Sequence, residues 1–134
     1  MKKAYPVILS KCSNGEYFVR VPDFDSETQG KDIVEAIEMA RDLIGLMAIH
    51  AEDKGREVPE PYTVAFSNDG DDLVTLVDVD FIDYRKKVNN KAVKKNCTIP
   101  YWMSVEADRA KVNYSKLLQE AIANQLGLNY NINN

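Results

Sequence analysis

Acidic side chains are the residues of this sequence that could most directly do chemistry. Five of them fall within twelve positions: Asp69, Asp71, Asp72, Asp78 and Asp80. Clustered carboxylates are the ligands that a divalent-metal nuclease would use. Their spacing fits no metal-binding loop such as the EF-hand, however, and Asp78 and Asp80 alternate with apolar residues. We therefore predict a polar turn followed by the solvated face of a strand, with no metal site.

Other catalytic candidates are equally weak. His50 is the one histidine in the sequence, and it falls on a predicted helix, off its apolar stripe, without an identifiable partner. Cys12 and Cys97 lie far apart and form no CxxC pair, so we expect two reduced thiols in a cytoplasmic protein rather than a disulfide. No serine or cysteine has a recognisable nucleophile setting. We expect no catalytic residue and no cofactor.

Positive charge is concentrated in one stretch of an otherwise acidic chain. Residues 1–90 hold 11 Lys/Arg and 18 Asp/Glu, whereas residues 91–134 hold 6 and 3. Such a change of sign favours two modules with different partners. A solvated linker would explain a lysine run alone, so the elements on either side decide its meaning. The run has six cations and no acid: Arg85, Lys86, Lys87, Lys91, Lys94 and Lys95.

The segments before this run predict an α+β domain of order ββ(β)αβ. Asn14-Gly15 favours a tight hairpin. Asp32 and Glu35 have capping-box spacing at the start of a long helix that Gly55 should end. Strands are expected at residues 5–10, 16–22, 27–29 and 73–81. The predicted buried stripe of the helix is Ile33, Ile37, Ala40, Ile44, Met47 and Ala51.

The segments after the run predict one short strand and two short helices. Side chains alternate along a strand, so Lys94, Asn96 and Thr98 share one face, and Cys97 and Ile99 share the other. Pro100 suits the first turn of a helix over about 101–111. Asn113 is a good N-cap for a second helix that Gly127 should end. The apolar face of that second helix is Leu117, Leu118, Ala121, Ile122 and Leu126.

A module this small cannot bury its own apolar face, and a lone strand has two unpaired edges. A second copy solves both problems, because two strands can pair antiparallel about a two-fold axis while four helices enclose a shared core. The paired strands then present Lys94, Asn96 and Thr98 twice on one polar face. A two-stranded ribbon fits the major groove of B-DNA, so the module predicts a DNA-binding homodimer.

Two separate parts of the chain resemble one known family. The Ile-Pro-x-Trp start at 99–102 and the Asn-Tyr-Ser-x-x-Leu-Gln-Glu-Ala run at 113–121 resemble the C-terminal ribbon-helix-helix domain of many HicB antitoxins. The segments YPVIL, NGEYFVRVPDF, TQG, EAIEMA and VPEP are similar to the HicB N-terminal domain, a partial RNase H-like fold. The resemblance covers about residues 3–65 and 92–128. It divides the chain into a toxin-binding domain at 1–84, a basic linker at 85–91, a ribbon-helix-helix domain at 92–128 and a tail at 129–134.

The resemblance implies an antitoxin of a type II toxin–antitoxin system. Such a protein occludes the active site of a HicA-type toxin, an mRNA-cleaving enzyme, and represses its own operon by binding operator DNA. Carried over onto this sequence, Lys94, Asn96 and Thr98 read bases. The helix start formed by Asn113, Tyr114 and Ser115 holds a DNA phosphate. Whether dimers pair further into tetramers stays open.

Two departures and two alternatives accompany the resemblance. Lys95 stands at a position of the alternation that is often apolar in the family, which would start the ribbon one residue later. The first strand lacks the acid of an active RNase H, so a nuclease is not expected. The acidic first module suits a basic, RNA-binding toxin through charge complementarity.

One alternative function is a stand-alone repressor whose first module senses a small ligand. The other is a metal-dependent nuclease. No apolar run is long enough to span a membrane.

Overall fold

The computed structural model describes residues 1–130 and divides the chain into two compact units, Met1–Ala92 and a second that begins at Val93. The first unit is an α+β domain with a four-stranded antiparallel sheet in the order β3-β2-β1-β4. No helix within residues 1–130 is both long and apolar enough to cross a membrane. The elements of the first unit are β1 (Lys2–Lys11), β2 (Tyr17–Val21), β3 (Ser26–Gly30), α1 (Ile33–Asp53), β4 (Leu73–Asp80) and α2 (Phe81–Val88).

The predicted hairpin and the short third strand are both confirmed. Cys12 N–H donates to the Glu16 carbonyl at 2.8 Å, and Gly15 takes a φ of +87° that glycine adopts without steric cost. A single turn of 3-10 helix, Pro22–Phe24, then carries the chain from β2 to β3. Proline lacks the N–H that a continuing strand would need, which is why β2 ends where it does.

Both ends of α1 follow the capping signals in the sequence. Asp32 accepts the Glu35 N–H at 2.8 Å, and Glu35 accepts the Lys31 N–H at 3.2 Å. At the other end, Gly55 has a φ of +69°, and the Arg56 N–H reaches back to the Ala51 carbonyl at 2.8 Å. This is the Schellman arrangement, which satisfies carbonyls that the last helical turn leaves unpaired.

The predicted buried stripe of α1 is wrong at several positions. Ile33 and Met47 are each 37% exposed, and Ala51 is only partly buried. Ile37 is only partly buried and packs against the edge of the core. The small residues Ala36 and Ala48 lie on the buried line instead, because the helix sits close against the sheet. The buried residues of α1 are Ala36, Ala40, Ile44, Gly45, Ala48 and Ile49.

The core of the first unit lies between α1 and one face of the sheet. Tyr5 is at its centre, with its ring edge-on to Phe24 at 5.0 Å and to Phe81 at 6.4 Å between centroids. Along β4, Val77 and Val79 are buried while Asp78 is exposed, which confirms the predicted alternation. The sheet contributes Tyr5, Val7, Leu9, Val19, Val21, Val77 and Val79 to this core.

Helix α2 occupies residues that the sequence suggested were linker. Asp80 caps it by accepting the Ile82 and Asp83 N–H groups at 3.1 and 3.2 Å. The prediction of a linker at 85–91 therefore differs from the structure, in which residues 85–88 are helical and belong to the first unit. Phe81 is buried and Tyr84 packs against the core, so apolar contacts stabilise the helix.

The second unit contains α3 (Tyr101–Arg109) and α4 (Tyr114–Leu126). Pro100 takes the N-cap position of α3, which ends two residues before the predicted end. Asn113 caps α4 by accepting the Lys116 N–H at 3.1 Å, and Gly127, with φ +65°, ends it. Residues 129 and 130 have no regular structure, and the rest of the predicted tail lies outside the described residues.

Residues 94–99 are not a strand in the single chain, contrary to the sequence prediction. The physical reason is that a strand is held by hydrogen bonds to a neighbouring strand, and the predicted neighbour belongs to a second copy. Every side chain from Lys94 to Ile99 is exposed.

Candidate functional site

The three residues predicted to read bases lie in one exposed stretch of the second unit. Lys94, Asn96 and Thr98 are all solvent-accessible, and Pro100 follows directly as the start of α3. Chain geometry puts alternate residues of an extended segment about 6–7 Å apart. These side chains therefore have the reach to meet successive base edges when the segment is extended.

The three residues predicted to hold a phosphate form the start of α4. The Asn113 side chain is occupied as the helix cap, and the Tyr114 hydroxyl donates to Asp108. This hydrogen bond raises the pKa of Tyr114 above its usual value. Ser115 is exposed. A phosphate here would therefore meet the backbone N–H groups of the first turn, which have no partner within the helix.

Both helices of the second unit expose large apolar side chains. On α4, Leu118 is 38% exposed and Ile122 is 45% exposed, and Ala123 is the buried residue of that helix. Trp102, near the start of α3, is 65% exposed. Large apolar side chains exposed in this number within one small unit suggest a surface that a partner covers. The structure thus keeps the predicted apolar face of α4 and leaves it accessible in the single chain.

The six cations of the basic run do not act as one group. Arg85 pairs with Glu52 at 2.7 Å and with Asp53 at 3.0 Å, and these contacts raise its pKa. Lys86 lies 3.7 Å from Asp83 one turn earlier in α2. The structure places Arg85, Lys86, Lys87 and Lys91 in the first unit and Lys94 and Lys95 in the second. Of the basic run, only Lys94 and Lys95 belong to the unit that carries the candidate base-reading residues.

Three of the five clustered aspartates have structural partners for their carboxylates. Asp72 lies 3.7 Å from Arg20, and its pKa is lowered by hydrogen bonds from Ser10 and from the Asp69 backbone. Asp78 pairs with Arg41 at 3.2 Å. Asp80 caps α2, and the Asp83 N–H contributes most to lowering its pKa. His50 is exposed on the last turn of α1, and both cysteines are free thiols.

Asp23 is a buried acid that the sequence interpretation missed. It is 6% exposed and lies in the 3-10 turn after β2. Its carboxylate accepts three backbone N–H groups, from Tyr62 at 3.0 Å, Thr63 at 2.8 Å and Val64 at 3.2 Å. Asp23 therefore pins the long connector between α1 and β4 to the body of the domain. The sequence signals this role of Asp23 only through the Pro-Asp pair that follows a strand, because the residues that donate to Asp23 lie about 40 positions later.

A close contact between α1 and α2 was also missed. The Tyr84 ring covers Gly45, where an added Cβ would come within 2.6 Å of the ring. The Tyr84 hydroxyl donates to Asp42, and burial together with that carboxylate raises the pKa of Tyr84 to about 12. The signal for α2 was present in the sequence: Asp80 is an N-cap, and Phe81, Tyr84 and Val88 recur at helical spacing.

Comparison with known proteins gives one matching family model and several similar solved structures. A protein-family model described as "HicB_like antitoxin of bacterial toxin-antitoxin system" matches residues 5–124. A chain of a toxin–antitoxin complex from Streptococcus pneumoniae is similar at 26% identity and a TM-score of 0.56, over 93% of this chain and 99% of that one. The antitoxin HicB of Burkholderia pseudomallei has a similar fold, at 21% identity and a TM-score of 0.52, over 93% and 97%. Comparison with curated proteins gave no significant match.

Proposed function

The chain belongs to the HicB-like antitoxin family of bacterial toxin–antitoxin systems, and from this premise we propose that it neutralises a HicA-type toxin and represses its own operon in the cytoplasm. The observation that carries the proposal is the extent of the family match, which runs from residue 5 to residue 124 and so includes both compact units. A match confined to one unit would support only one of the two activities.

Toxin binding falls to the first unit in this proposal. Its sequence to residue 90 holds 18 acidic and 11 basic residues. An enzyme that grips RNA must present a basic surface, so an acidic partner attracts that surface and competes with RNA for it. The similar chain from Streptococcus pneumoniae comes from a toxin–antitoxin complex, which supports a toxin as the partner here.

DNA binding falls to the second unit. In the proposed dimer, residues 94–99 of two copies pair as an antiparallel ribbon and place Lys94, Asn96 and Thr98 in the major groove. The ribbon-helix-helix arrangement explains why this segment has no strand in a single chain. It also provides cover for Leu118 and Ile122, whose exposure in one chain is otherwise costly.

The experiment that tests the proposal is neutralisation in growing cells. A HicA-type toxin gene, sought first beside this gene, is expressed from an inducible promoter, with and without the chain. Tagged toxin is then purified to find bound chain. We expect growth to be rescued and the two proteins to co-purify. A reporter fused to the operon's promoter measures repression in the same cells.

Asn96→Ala is the matched variant because it changes the second unit alone. We expect it to neutralise the toxin as well as wild type while losing repression. Repression without any neutralisation or toxin binding by the wild-type chain would contradict the antitoxin proposal and favour the ligand-sensing repressor.

A further inference from the structure

Strand β4 is an edge of the sheet, and the hydrogen bonds around it reveal which of its groups face outward. The Phe81 N–H donates to the Met1 carbonyl at 3.0 Å and so continues the β1–β4 ladder. Because N–H and C=O groups alternate sides along a strand, odd-numbered residues of β4 face β1 and even-numbered residues face the free edge. Arg41 agrees with this assignment, since its Nε donates to the Asp78 carbonyl at 2.9 Å from outside the sheet.

The free edge is apolar between its two ends. Val74 and Leu76 point away from the core on the opposite face of the sheet and are 46% and 55% exposed. Proteins usually blunt an edge strand with charge, proline or a covering element. Arg41 would hinder further strand pairing only at the Asp78 end of β4, where it contacts both the carbonyl and the carboxylate of Asp78. The backbone N–H and C=O groups of Val74 and Leu76 thus face the free edge beside two large apolar side chains.

Charge at the ends of this edge selects its partner. Residues 69–80 contain five aspartates and no cation. Arg20 and Arg41, from neighbouring elements, pair with Asp72 and Asp78, which leaves Asp69 and Asp71 at one end and Asp80 at the other without an arginine partner among the described residues. Two copies paired antiparallel about Leu76 would set Asp72 of each chain opposite Asp80 of the other, and like charges directly opposed destabilise a strand pair. A segment with an apolar centre and cationic ends would meet complementary charge instead.

We propose that the free edge of β4 between Leu73 and Val77 accepts an extended, cation-flanked segment of the toxin as a fifth strand. This inference rests on the proposed antitoxin function and deepens it by naming the contact surface. Main-chain hydrogen bonds to Val74 and Leu76 supply affinity, as in other cases of β-strand addition, and the flanking aspartates supply selectivity for a basic partner.

Amide hydrogen exchange measured by NMR on the full-length chain tests the backbone contact directly. The probe is the purified HicA-type toxin of the neutralisation experiment. We expect the Val74 and Leu76 amides to exchange rapidly in the free chain and to slow by on the order of tenfold or more in the complex, because edge amides gain a partner only there. The Val77 and Val79 amides, which face β1, are the internal reference.

Two substitutions at Leu76 test the same edge through toxin affinity. Leu76→Pro removes a donor that faces away from β1, so an edge strand tolerates it while strand addition is blocked. Leu76→Lys places a cation against a basic partner. We expect either variant to weaken toxin binding by roughly 10–100-fold. Leu46→Lys on α1, at a leucine of similar exposure (49%), should change it by less than about threefold.

The outcomes separate this inference from the antitoxin proposal. If wild type binds the toxin and both Leu76 variants bind equally well, the edge is not the contact and only the inference is overturned. If Leu46→Lys weakens toxin binding more than the Leu76 variants do, the toxin contacts α1 instead, and the inference is likewise overturned. Protection of the Val74 and Leu76 amides without toxin would mean that a second copy occupies the edge, again overturning it. If wild type binds no toxin at all, the proposed function itself fails.

Discussion

Asn96 is the residue whose contact would carry the most sequence information, because a carboxamide can donate to and accept from one adenine edge at once. We expect Asn96→Ala to weaken operator binding by about 1–3 kcal/mol per lost contact and to change binding to scrambled DNA little. Titration of each duplex at several salt concentrations separates the effects, since base contacts carry specificity and phosphate contacts carry salt dependence.

Lys86→Ala is the control for that measurement. Lys86 lies in α2 of the first unit, 3.7 Å from Asp83. Its loss should at most weaken both duplexes alike, with a salt slope smaller by about one unit for a lost phosphate contact. Equal weakening of both duplexes by Asn96→Ala would mean that residues 94–99 are not the reading element.

Tyr5 should make the stability of the first unit sensitive to alkali. Its hydroxyl donates to the Pro59 carbonyl at 2.6 Å, and burial, followed by the nearby Glu60 and Asp23 charges, raises its pKa to about 12. The unfolded chain would release this proton near pH 10, so stability is complete below about pH 10 and falls as the pH rises towards 12.

Urea denaturation at pH values across this range measures the effect. Tyr5→Phe should show a shallower loss of stability than wild type, although its stability at neutral pH is lower because the Pro59 carbonyl loses its partner. Tyr101→Phe, at a tyrosine that is 85% exposed, should follow the wild-type profile. A Tyr5→Phe profile parallel to wild type would show that another group causes the alkaline loss.

Capping residues were predictable because their partners lie within one helical turn. Asp32 and Asn113 accept N–H groups three residues ahead, and Gly55 and Gly127 take the left-handed conformation that ends a helix. Asp23 was not predictable in the same way, since its partners are fixed only when the connector folds back on the domain. The roles of Lys94 and Thr98 stay predictions that rest on the family resemblance.

At the scale of elements, Gly45 should control the docking of α2 on α1. An added Cβ would lie 2.6 Å from the Tyr84 ring. Alanine in a helix interior gains about 1 kcal/mol over glycine, but forcing the ring away costs about 1–3 kcal/mol and the hydrogen bond to Asp42. We expect Gly45→Ala to be neutral to destabilising alone, and stabilising when Tyr84→Ala removes the clash.

A double-mutant cycle read by thermal and urea unfolding tests that coupling. Gly70→Ala is the matched control, because an added Cβ there meets nothing within 4 Å and the backbone is not left-handed. It should change stability by less than about 0.5 kcal/mol. Additive effects of Gly45→Ala and Tyr84→Ala would contradict the proposed contact.

Prediction of helices and strands succeeded where neighbouring residues set the pattern. It failed where tertiary packing determined which side chains are buried. The alternation of β4 and the hairpin at Gly15 follow from neighbouring residues. The stripe of α1 was rotated because small alanines, not the larger Ile33 and Met47, approach the sheet. The cations at 85–87 suggested a linker, so α2 was not predicted. In the structure Arg85 of that helix pairs with Glu52 and Asp53 of α1.

At the scale of the whole molecule, division into two units explains how one chain could serve two unlike partners. The boundary at Ala92 separates an acidic sheet domain from a smaller unit that carries Lys94 and Lys95. Opposite charges kept on separate units leave each free to attract its own partner. On this view, repression and neutralisation depend on different residues, although one chain links them.

The dimer is the assembly on which DNA binding depends in this account. We expect the full-length chain to have twice the mass of a single chain, or four times if dimers pair further, in light scattering at micromolar concentration. Ile122→Asp should give a monomer, because dimerisation would bury an unpaired carboxylate. That monomer should also lose operator binding, since one copy cannot form a two-stranded ribbon. Leu46→Asp, at an exposed position of α1 in the first unit, should remain dimeric. A wild-type monomer that still binds the operator would contradict the ribbon-helix-helix assembly, because residues 94–99 would then have to read DNA without a paired strand.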